Sequence, residues 1–312
     1  MKDFQSLRIV FMGTPEFAVA SLDALVKAGC NIVGVITAPD KPAGRGMELQ
    51  QSAVKKYAVE NNLHVLQPEK LKNPEFLEEL KSLKADLQIV VAFRMLPEVV
   101  WNMPPMGSVN LHGSLLPQYR GAAPINWAVI NGEKETGVTT FKLKHEIDTG
   151  DILLQQSFAI AETDNAGDVH DKMKEIGANL LLKTVKGLAD ENLLKLPQST
   201  IANLKSTIHH APKIFTETCT INWQKTVDEV YNLIRGLAPY PTAFTFLLDK
   251  KLKIFKAKKI KSETADTVGS YKTDGKSYLH FTCTNGYIAV LELQLEGKKK
   301  MDIAAFLRGY HF

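Results

Sequence analysis

The chain has 312 residues, of which 45% are hydrophobic and 23% charged, a composition typical of a globular protein and not of a disordered one. This length predicts two domains, and no apolar run reaches the roughly 18–20 residues needed to cross a bilayer. The formal net charge of +4 is unevenly distributed, because residues 205–312 carry 17 Lys and Arg against 10 Asp and Glu, a net of +7. A basic segment of this kind indicates either a solvated lysine-rich face or a surface that binds a polyanion.

The cysteines and the N-terminus bear on where the protein works. Cys30, Cys219 and Cys283 form no pairable framework and no Cys-x-x-Cys site, so we predict neither structural disulfides nor a bound metal. The first residues lack the basic, apolar and small-residue regions of a signal peptide. We therefore expect a cytoplasmic protein without membrane association.

The first half of the chain alternates strand patterns with helix patterns. Apolar, β-branched runs typical of strands buried on both faces occupy 8–13, 31–37, 87–93 and 108–113. Helical spacing occupies 16–28, 52–61 and 74–83, two more strands are expected at 137–144 and 151–160, and a long helix at 165–189. This alternation predicts an α/β fold with a doubly wound, Rossmann-like parallel sheet over residues 1–189.

The pattern changes after residue 189. From 190 to 208 the hydrophobic periodicity is lost, and a proline with many polar residues indicates a linker. Beyond it, a helical stretch at 226–237 precedes short strand-like runs separated by turn residues. This succession predicts a small β-barrel domain of the oligonucleotide-binding type over residues 209–312.

The strand at 108–113 ends in polar side chains. In open α/β sheets the ligand site lies beyond the carboxyl ends of the strands. Because strand side chains alternate, Asn110, His112 and Ser114 are expected on one face, and Asp148 lies in an Asp- and Gly-rich turn at the end of another strand. An amide, an imidazole and a carboxylate within reach of one another can stabilise an oxyanion and move a proton, which is the chemistry of acyl transfer.

Rival interpretations of these segments are weaker. A hydrolase triad built on Ser114 would lack the Gly-x-Ser-x-Gly turn. The segment "MGTPEF" (12–17) lacks the later glycines of a dinucleotide-binding loop. His209 and His210 have no carboxylate or cysteine at metal-ligand spacing. On spacing alone, however, an Asn-x-His at a strand end is structural more often than it is catalytic.

The segment "TAPDKPAGRGMEL" (37–49) follows the second strand. Its glycines and prolines predict a mobile loop without regular structure. Lys41 and Arg45 have few acidic neighbours in the sequence. The segment is therefore either an ordinary surface loop or a basic loop that holds a phosphate or a nucleic acid end near the site.

Two segments resemble a known family. "VNLHGSLLPQYRGAAPI" (109–125) resembles the active-site signature of the folate-dependent formyltransferases, and "DTGDIL" (148–153) resembles their second catalytic segment. The resemblance implies formyl transfer from 10-formyltetrahydrofolate. Asn110 and His112 would stabilise the oxyanion, and Asp148 would pair with His112 and help to remove the proton of the attacking amine.

The resemblance also implies where the folate binds. One wall of the folate site would be formed by Ser114, Leu115, Leu116 and Pro117. A second set of folate contacts would consist of Arg94, Met95 and Leu96, in the segment "AFRMLP" (92–97). This segment is one residue shorter than the corresponding loop usual in those members of the family that formylate a tRNA.

Three further segments are similar to the members that act on methionyl initiator tRNA. They are "FMGTPEFAVASLDAL" (11–25), "PDKPAGRG" (39–46) and "APKIFTETCTINW" (211–223). They imply methionyl initiator tRNA as the formyl acceptor, with Lys41 and Arg45 as contacts and the C-terminal domain on the acceptor stem; no stable protein partner is expected. Two alternatives remain: a sugar-nucleotide N-formyltransferase with the same donor, and a non-catalytic RNA-binding protein that has kept the fold.

Overall fold

The computed structural model describes residues 3–43, 47–201, 208–263 and 265–310, and the chain divides into two compact units. The first unit consists of Met1–Arg120, Gly137–Phe158 and Asp171–His210. The second consists of Gly121–Thr136, Ala159–His170 and Ala211–Phe312. Each unit is thus assembled from several stretches of chain, and the domain bounds 1–189 and 209–312 stay a prediction.

The strands and helices expected from the sequence are present, with bounds close to those predicted. The strands of the N-terminal half are β1 (Arg8–Gly13), β2 (Asn31–Ile36), β3 (Lys41–Ala43), β4 (Glu48–Gln50), β5 (Val65–Leu66), β6 (Leu87–Val91), β7 (Ser108–His112), β8 (Arg120–Gly121), β9 (Glu135–Lys142) and β10 (Ile152–Ala159). The helices over the same part of the chain are α1 (Glu16–Lys27), α2 (Ala53–Glu60), α3 (Pro74–Ser82), α4 (Glu98–Trp101), α5 (Pro124–Ile130) and α6 (Ala166–Ala189). The remaining elements are β11 (His210–Ala211), α7 (Val227–Leu237), β12 (Ala243–Leu247), β13 (Lys250–Lys261), β14 (Tyr271–Thr273), β15 (Leu279–Cys283), β16 (Gly286–Leu295), β17 (Met301–Asp302) and α8 (Ile303–Gly309).

The first unit is built on a seven-stranded sheet in the order β10-β9-β7-β6-β1-β2-β5. Five neighbouring strands of this sheet, β5, β2, β1, β6 and β7, run parallel to one another. The chain moves outward from β1 through β2 to β5, and then from β6 to β7, so the sheet is doubly wound and its order reverses between β1 and β6. The predicted Rossmann-like α/β architecture is therefore confirmed.

The sheet is not parallel throughout, which corrects the prediction. β9 pairs antiparallel with β7, with Asn110 opposite Phe141 and His112 opposite Thr139. The alternation of apolar residues reports that a segment is a strand but not its direction. The direction depends instead on whether the connection crosses over the sheet.

Burial on both faces explains why the central strands form. Ile9, Val10 and Phe11 of β1 are completely buried. Beside them, α3 begins at the N-cap Asn73, whose side chain accepts a hydrogen bond from the Glu75 N–H. α3 buries its apolar face in the core cluster that also contains Val10. Each such buried side chain contributes about 1.5–3 kcal/mol.

The predicted unstructured loop after β2 is wrong in the part that the structure describes. β3 and β4 form a two-stranded antiparallel hairpin in which Lys41 lies opposite Gln50 and Pro42 opposite Leu49. A proline is tolerated on an edge strand where its nitrogen need not donate to a partner. At the base of the hairpin, Asp40 accepts a hydrogen bond of 2.5 Å from Lys55. Lys41 is exposed, whereas Arg45 lies outside the described residues.

The second unit contains an antiparallel sheet in the order β12-β13-β16-β15-β14, with β17 paired to β16. α7 begins with a capping box between Thr226 and Glu229 and buries Val230 and Ile234 in the same core as the sheet. An antiparallel β-domain is thus present, and its assignment to the oligonucleotide-binding type stays a prediction. Of the helices in the described ranges, none is both long and apolar enough to span a membrane.

Candidate active site

The carboxyl end of β7 brings an imidazole and a carboxylate together. Nδ1 of His112 lies 3.8 Å from Oδ2 of Asp148, a distance within ion-pair range but longer than a direct hydrogen bond. The two side chains are 7% and 13% exposed, so their interaction is little weakened by solvent. The predicted proximity of these two residues is present in the structure.

The other ring nitrogen of His112 determines its tautomer. Nε2 lies 2.9 Å from the backbone carbonyl oxygen of Tyr119. A carbonyl oxygen can only accept, so Nε2 carries the hydrogen and the neutral imidazole has its lone pair on Nδ1. The nitrogen that faces Asp148 is therefore the one that gains and loses a proton.

Asn110 precedes His112 by two residues on the same strand, so the two side chains leave the same face of the sheet. The strand neighbours of Asn110 are Val90 on β6 and Phe141 on β9. Asn110 is half-buried, whereas Val109 and Leu111 on the opposite face are buried. Its amide is thus available beside the His112–Asp148 pair, at the edge where open α/β sheets bind ligands.

The loop that carries Asp148 has an unusual backbone. Asp148 adopts a φ of +56°, in the left-handed region that non-glycine residues rarely occupy. Two residues later, a Cβ added to Gly150 would lie 1.6 Å from the carbonyl oxygen of Lys142, so only glycine fits there. The carboxylate is therefore held on a close-packed turn.

Hydrogen bonds from side chains to backbone carbonyl oxygens hold the turn after β7. The Ser114 hydroxyl donates to the carbonyl oxygen of Gln118 at 2.6 Å, and the Thr139 hydroxyl donates to the carbonyl oxygen of Ser114 at 2.6 Å. Gln155 donates to the carbonyl oxygen of Leu116 at 2.9 Å. Because the hydroxyl of Ser114 is directed to Gln118, it does not form the serine–histidine bond of a hydrolase triad.

The apolar residues of this turn differ in exposure. Leu116 and Pro117 are buried, as is Ser114, and Leu115 is half-buried. Only the Leu115 side chain and the backbone of the turn can therefore reach a ligand without rearrangement. The folate contacts predicted for these four residues stay a prediction.

The other predicted folate residues line an open groove of about 990 Å³ in the first unit. Met95 is 74% exposed, and Leu96 is half-buried. The guanidinium of Arg94 donates to the carbonyl oxygen of Glu69 at 2.8 Å and also to that of Pro68. Arg94 thus ties two backbone segments together, and the exposed apolar surface of Met95 is available to a ligand.

Several supporting residues were not predicted from the sequence. Tyr119 and Arg120 stand inside the motif at 109–125, which could have marked them. Thr139 and Gln155 lie in strands whose pattern indicates only burial. Gln198 lies in the segment interpreted as a linker, and no signal in the sequence marked it.

The His, Cys and acidic residues of the described chain bear on metal binding and on thiol reactivity. Across 3–43, 47–201, 208–263 and 265–310, no group of three or more His, Cys, Asp or Glu residues could hold a metal ion. His209 stacks on the ring of Tyr119 with centroids 5.7 Å apart, which is a packing role. Burial raises the pKa of Cys283 to about 12 and that of Cys30 to about 11, so neither thiol is a nucleophile near neutral pH.

The second unit has a lysine-rich strand. On β13, Lys259 and Lys261 form ion pairs with Asp228 at 2.8 and 2.6 Å. Lys256 and Lys258 are exposed and Lys253 is half-buried. These last three lysines have no carboxylate within ion-pair distance among the described residues, so their charges are available to an anionic partner. They are called the β13 lysines below.

Known proteins resemble both halves of the chain. The family model described as Formyl transferase matches residues 7–185, and the one described as Formyl transferase, C-terminal domain, matches residues 213–311. The methionyl-tRNA formyltransferase of Bacteroides fragilis is 54% identical over an alignment of 312 positions, and this alignment covers 98% of this chain and 96% of that protein. The enzyme of the same name from Parabacteroides distasonis is 56% identical over 312 residues, with the same coverage.

A solved structure shares the fold. The N-formyltransferase from Helicobacter canadensis, in complex with folinic acid and dTDP-3-aminofucose, superposes with a TM-score of 0.67 and covers 95% of this chain and 100% of its own. Its sequence identity is 22%, so the similarity is one of fold.

Proposed function

The chain belongs to the formyl transferase family, and we propose that it transfers the formyl group of 10-formyltetrahydrofolate to the amino group of methionyl initiator tRNA, for translation initiation. The near full-length relatives at 54–56% identity support this acceptor. The observation that carries the proposal is the pairing of His112 with Asp148, whose Nδ1 and Oδ2 atoms lie 3.8 Å apart. Asn110 lies on the same strand as His112, two residues earlier.

Each of these residues has a role in the transfer. The methionyl amine attacks the formyl carbon, and the formyl oxygen becomes an oxyanion. The Asn110 amide donates a hydrogen bond to it, and so does Nδ1 of His112 when the imidazole is protonated. Asp148 stabilises that imidazolium and takes part in removing the ammonium proton, which returns to the folate nitrogen as the carbon–nitrogen bond to the donor breaks.

The orientation of His112 restricts its part. Because the hydrogen on Nε2 is donated to the Tyr119 carbonyl oxygen, proton exchange with the reactants runs through Nδ1. Asp148 lies on that same side. The imidazole and the carboxylate therefore act as one unit and not as two separate groups.

The folate is proposed to bind along the groove of the first unit. Arg94, Met95 and Leu96 line this groove, and exposed Met95 offers an apolar surface to a flat pterin ring. Leu115 and the backbone of residues 114–117 would form the other contacts. Together they would hold the formyl carbon near Asn110.

The tRNA is proposed to bind through the second unit and the β3–β4 hairpin. The available charges of the β13 lysines favour phosphate binding, and an antiparallel sheet of this size is compatible with an oligonucleotide-binding domain. Lys41 on the hairpin is exposed and would add a contact, as would Arg45. A sugar-nucleotide acceptor carries only two phosphates and would not need a basic domain of this extent.

One incubation tests the proposal. The protein is mixed with 10-formyltetrahydrofolate and, in separate reactions, with charged initiator tRNA, charged elongator tRNA or an amino-sugar nucleotide, and formylated product is measured. Formylation of the methionyl initiator tRNA is expected. Formylation of the sugar nucleotide alone would favour the alternative enzyme, and RNA binding without product would favour a non-catalytic protein.

A further inference from the structure

Gln198 is a buried side chain joined to the loop of Asp148. It is 3% exposed and lies in a short 3-10 turn, Gln198–Thr200. Its Nε2 donates to the carbonyl oxygen of Asp148 at 2.9 Å and to that of Gly150 at 2.8 Å. The two bonds span the turn of the catalytic loop, one on each side of Thr149.

Arg120 fixes the orientation of this amide. Its Nε and one terminal nitrogen donate to Oε1 of Gln198 at 3.1 and 2.6 Å. A guanidinium has donors and no acceptor, so Oε1 must face Arg120 and the NH₂ group must face the carbonyl oxygens. Both amide hydrogens and the oxygen are thereby used, which leaves the side chain no second arrangement of equal energy.

The backbone before Gln198 is also anchored. Leu196 and Ile152 exchange two backbone hydrogen bonds of 2.9 Å, which join the segment after α6 to the start of β10. This part of the predicted linker is therefore packed on the first unit. The backbone pair at Leu196, two residues before Gln198, therefore fixes the chain so that the Gln198 side chain lies against the Asp148 loop.

We propose that Gln198 is a positioning residue for the Asp148 carboxylate, and that Arg120 holds the Gln198 amide in the orientation this role requires. The inference rests on the proposed function, because it takes Asp148 to be part of the reacting group. The left-handed backbone of Asp148 is an arrangement that persists when neighbouring groups over-determine it, and the two Gln198 bonds do so. They set the 3.8 Å separation between Asp148 and His112.

The test compares variants that separate donation from packing. Gln198→Glu keeps the volume and the contact with Arg120 but places an acceptor against two carbonyl oxygens, so the loop must shift. Since a displacement of about 1 Å can cost about 10²-fold in rate, we expect kcat to fall 10- to 100-fold while KM for tRNA and for folate changes less than threefold. Gln198→Met, which cannot donate a hydrogen bond, should lower kcat in the same range.

The matched control is Gln5→Glu. Gln5 also donates its amide to a backbone carbonyl oxygen, that of Ala28 at 3.0 Å, but at the end of α1. This variant should keep kcat within twofold of wild type. Melting temperatures are measured throughout, and if Gln198→Glu does not fold, Arg120→Lys is used, because it keeps the charge and loses the bidentate contact that orients the amide.

The decisive comparison places Gln198→Glu in an Asp148→Ala background. If Gln198 acts through Asp148, the double variant is no slower than Asp148→Ala alone. A further 10-fold loss in that background, or unchanged kcat in the single folded variant, would overturn the inference while leaving the proposed function intact. If Asp148→Ala itself kept full activity, the role given to Asp148 would fail, and the inference with it, while the proposed function would stand; the proposed function fails instead if the wild-type protein forms no formylated tRNA.

Discussion

Tyr119 and Arg120 are adjacent residues that support the two members of the His112–Asp148 pair. The carbonyl oxygen of Tyr119 accepts the hydrogen of His112 Nε2 at 2.9 Å. Arg120 reaches the Asp148 loop through Gln198. A terminal nitrogen of the Arg120 guanidinium donates to Oε1 of Gln198 at 2.6 Å. Contacts from these two adjacent residues thus reach both the imidazole of His112 and, through Gln198, the backbone of the Asp148 loop.

Removing the Asn110 amide should slow the chemical step. We expect Asn110→Ala to lower kcat by about 10²–10³, the usual cost of losing one oxyanion donor, with little change in KM. The measurement is steady-state formyl transfer to methionyl initiator tRNA. Asn61→Ala serves as control, because Asn61 uses its amide to cap the end of α2, where it donates to the Tyr57 carbonyl oxygen at 2.9 Å. Equal rates for the two variants would exclude Asn110 from the oxyanion site.

Adding one methyl group at Gly150 should disturb the Asp148 loop. The new Cβ would meet the carbonyl oxygen of Lys142 at 1.6 Å, so backbone must move. Overpacking of this kind costs about 1–3 kcal/mol, and we expect Gly150→Ala to lower both the melting temperature and kcat. Gly309→Ala is the control, because nothing lies within 4 Å of a Cβ there. Equal melting temperatures for the two variants would show that the loop tolerates the clash.

The β13 lysines should account for part of the salt dependence of tRNA binding. Each phosphate contact contributes about 0.9 to the slope of log K against log salt, so replacing Lys253, Lys256 and Lys258 by alanine should flatten the slope by about 2–3. Replacing Lys259 and Lys261, which are ion-paired with Asp228, should change it by less than one. The slopes are measured by filter binding or fluorescence titration. Equal flattening by both sets would refute the division between available and paired lysines.

The capping box of α7 should make stability depend on pH in the acid range. Hydrogen bonds from the Thr226 backbone and hydroxyl lower the pKa of Glu229 from 4.5 to about 2. The stabilisation is therefore fully present above pH 4.5 and is lost as the pH falls toward 2. In urea unfolding, Thr226→Ala should lose about 1 kcal/mol at pH 7 and show a flatter decline of stability between pH 4.5 and 2. A decline parallel to that of wild type would contradict this assignment.

Much of the fold could be predicted because its strands have strong patterns. Apart from Arg8 in β1 and Gln88 in β6, these two strands consist of apolar residues and a glycine that are buried on both faces, and the expected bounds lie close to those observed. The direction of β9 could not be predicted, since residue alternation is the same in either direction. The β3–β4 pairing is not predicted either, because the prolines and glycines at 39–46 lower strand propensity, although an edge strand tolerates Pro42.

Of the site, the sequence marked the groups proposed to touch the reactants but not the residues that hold those groups in place. Asn110 and His112 are polar residues near the end of a buried strand, and Asp148 lies in the loop between β9 and β10, so the apolar pattern of the sheet does not account for them. Gln198 contacts groups 48, 50 and 78 residues away in the chain. Its segment has no periodicity, so no local pattern could reveal those contacts.

The most direct test of the account is a double-mutant cycle on His112 and Asp148 under single-turnover conditions, with saturating 10-formyltetrahydrofolate and methionyl initiator tRNA. Residues that act as one unit lose nearly all of their contribution with the first deletion. We therefore predict that His112→Ala and Asp148→Ala each slow the transfer by at least about 10²-fold, and that the double variant is hardly slower than the slower single one. Losses that multiply in the double variant would contradict a coupled pair, and rates near wild type in either folded single variant would contradict the site itself.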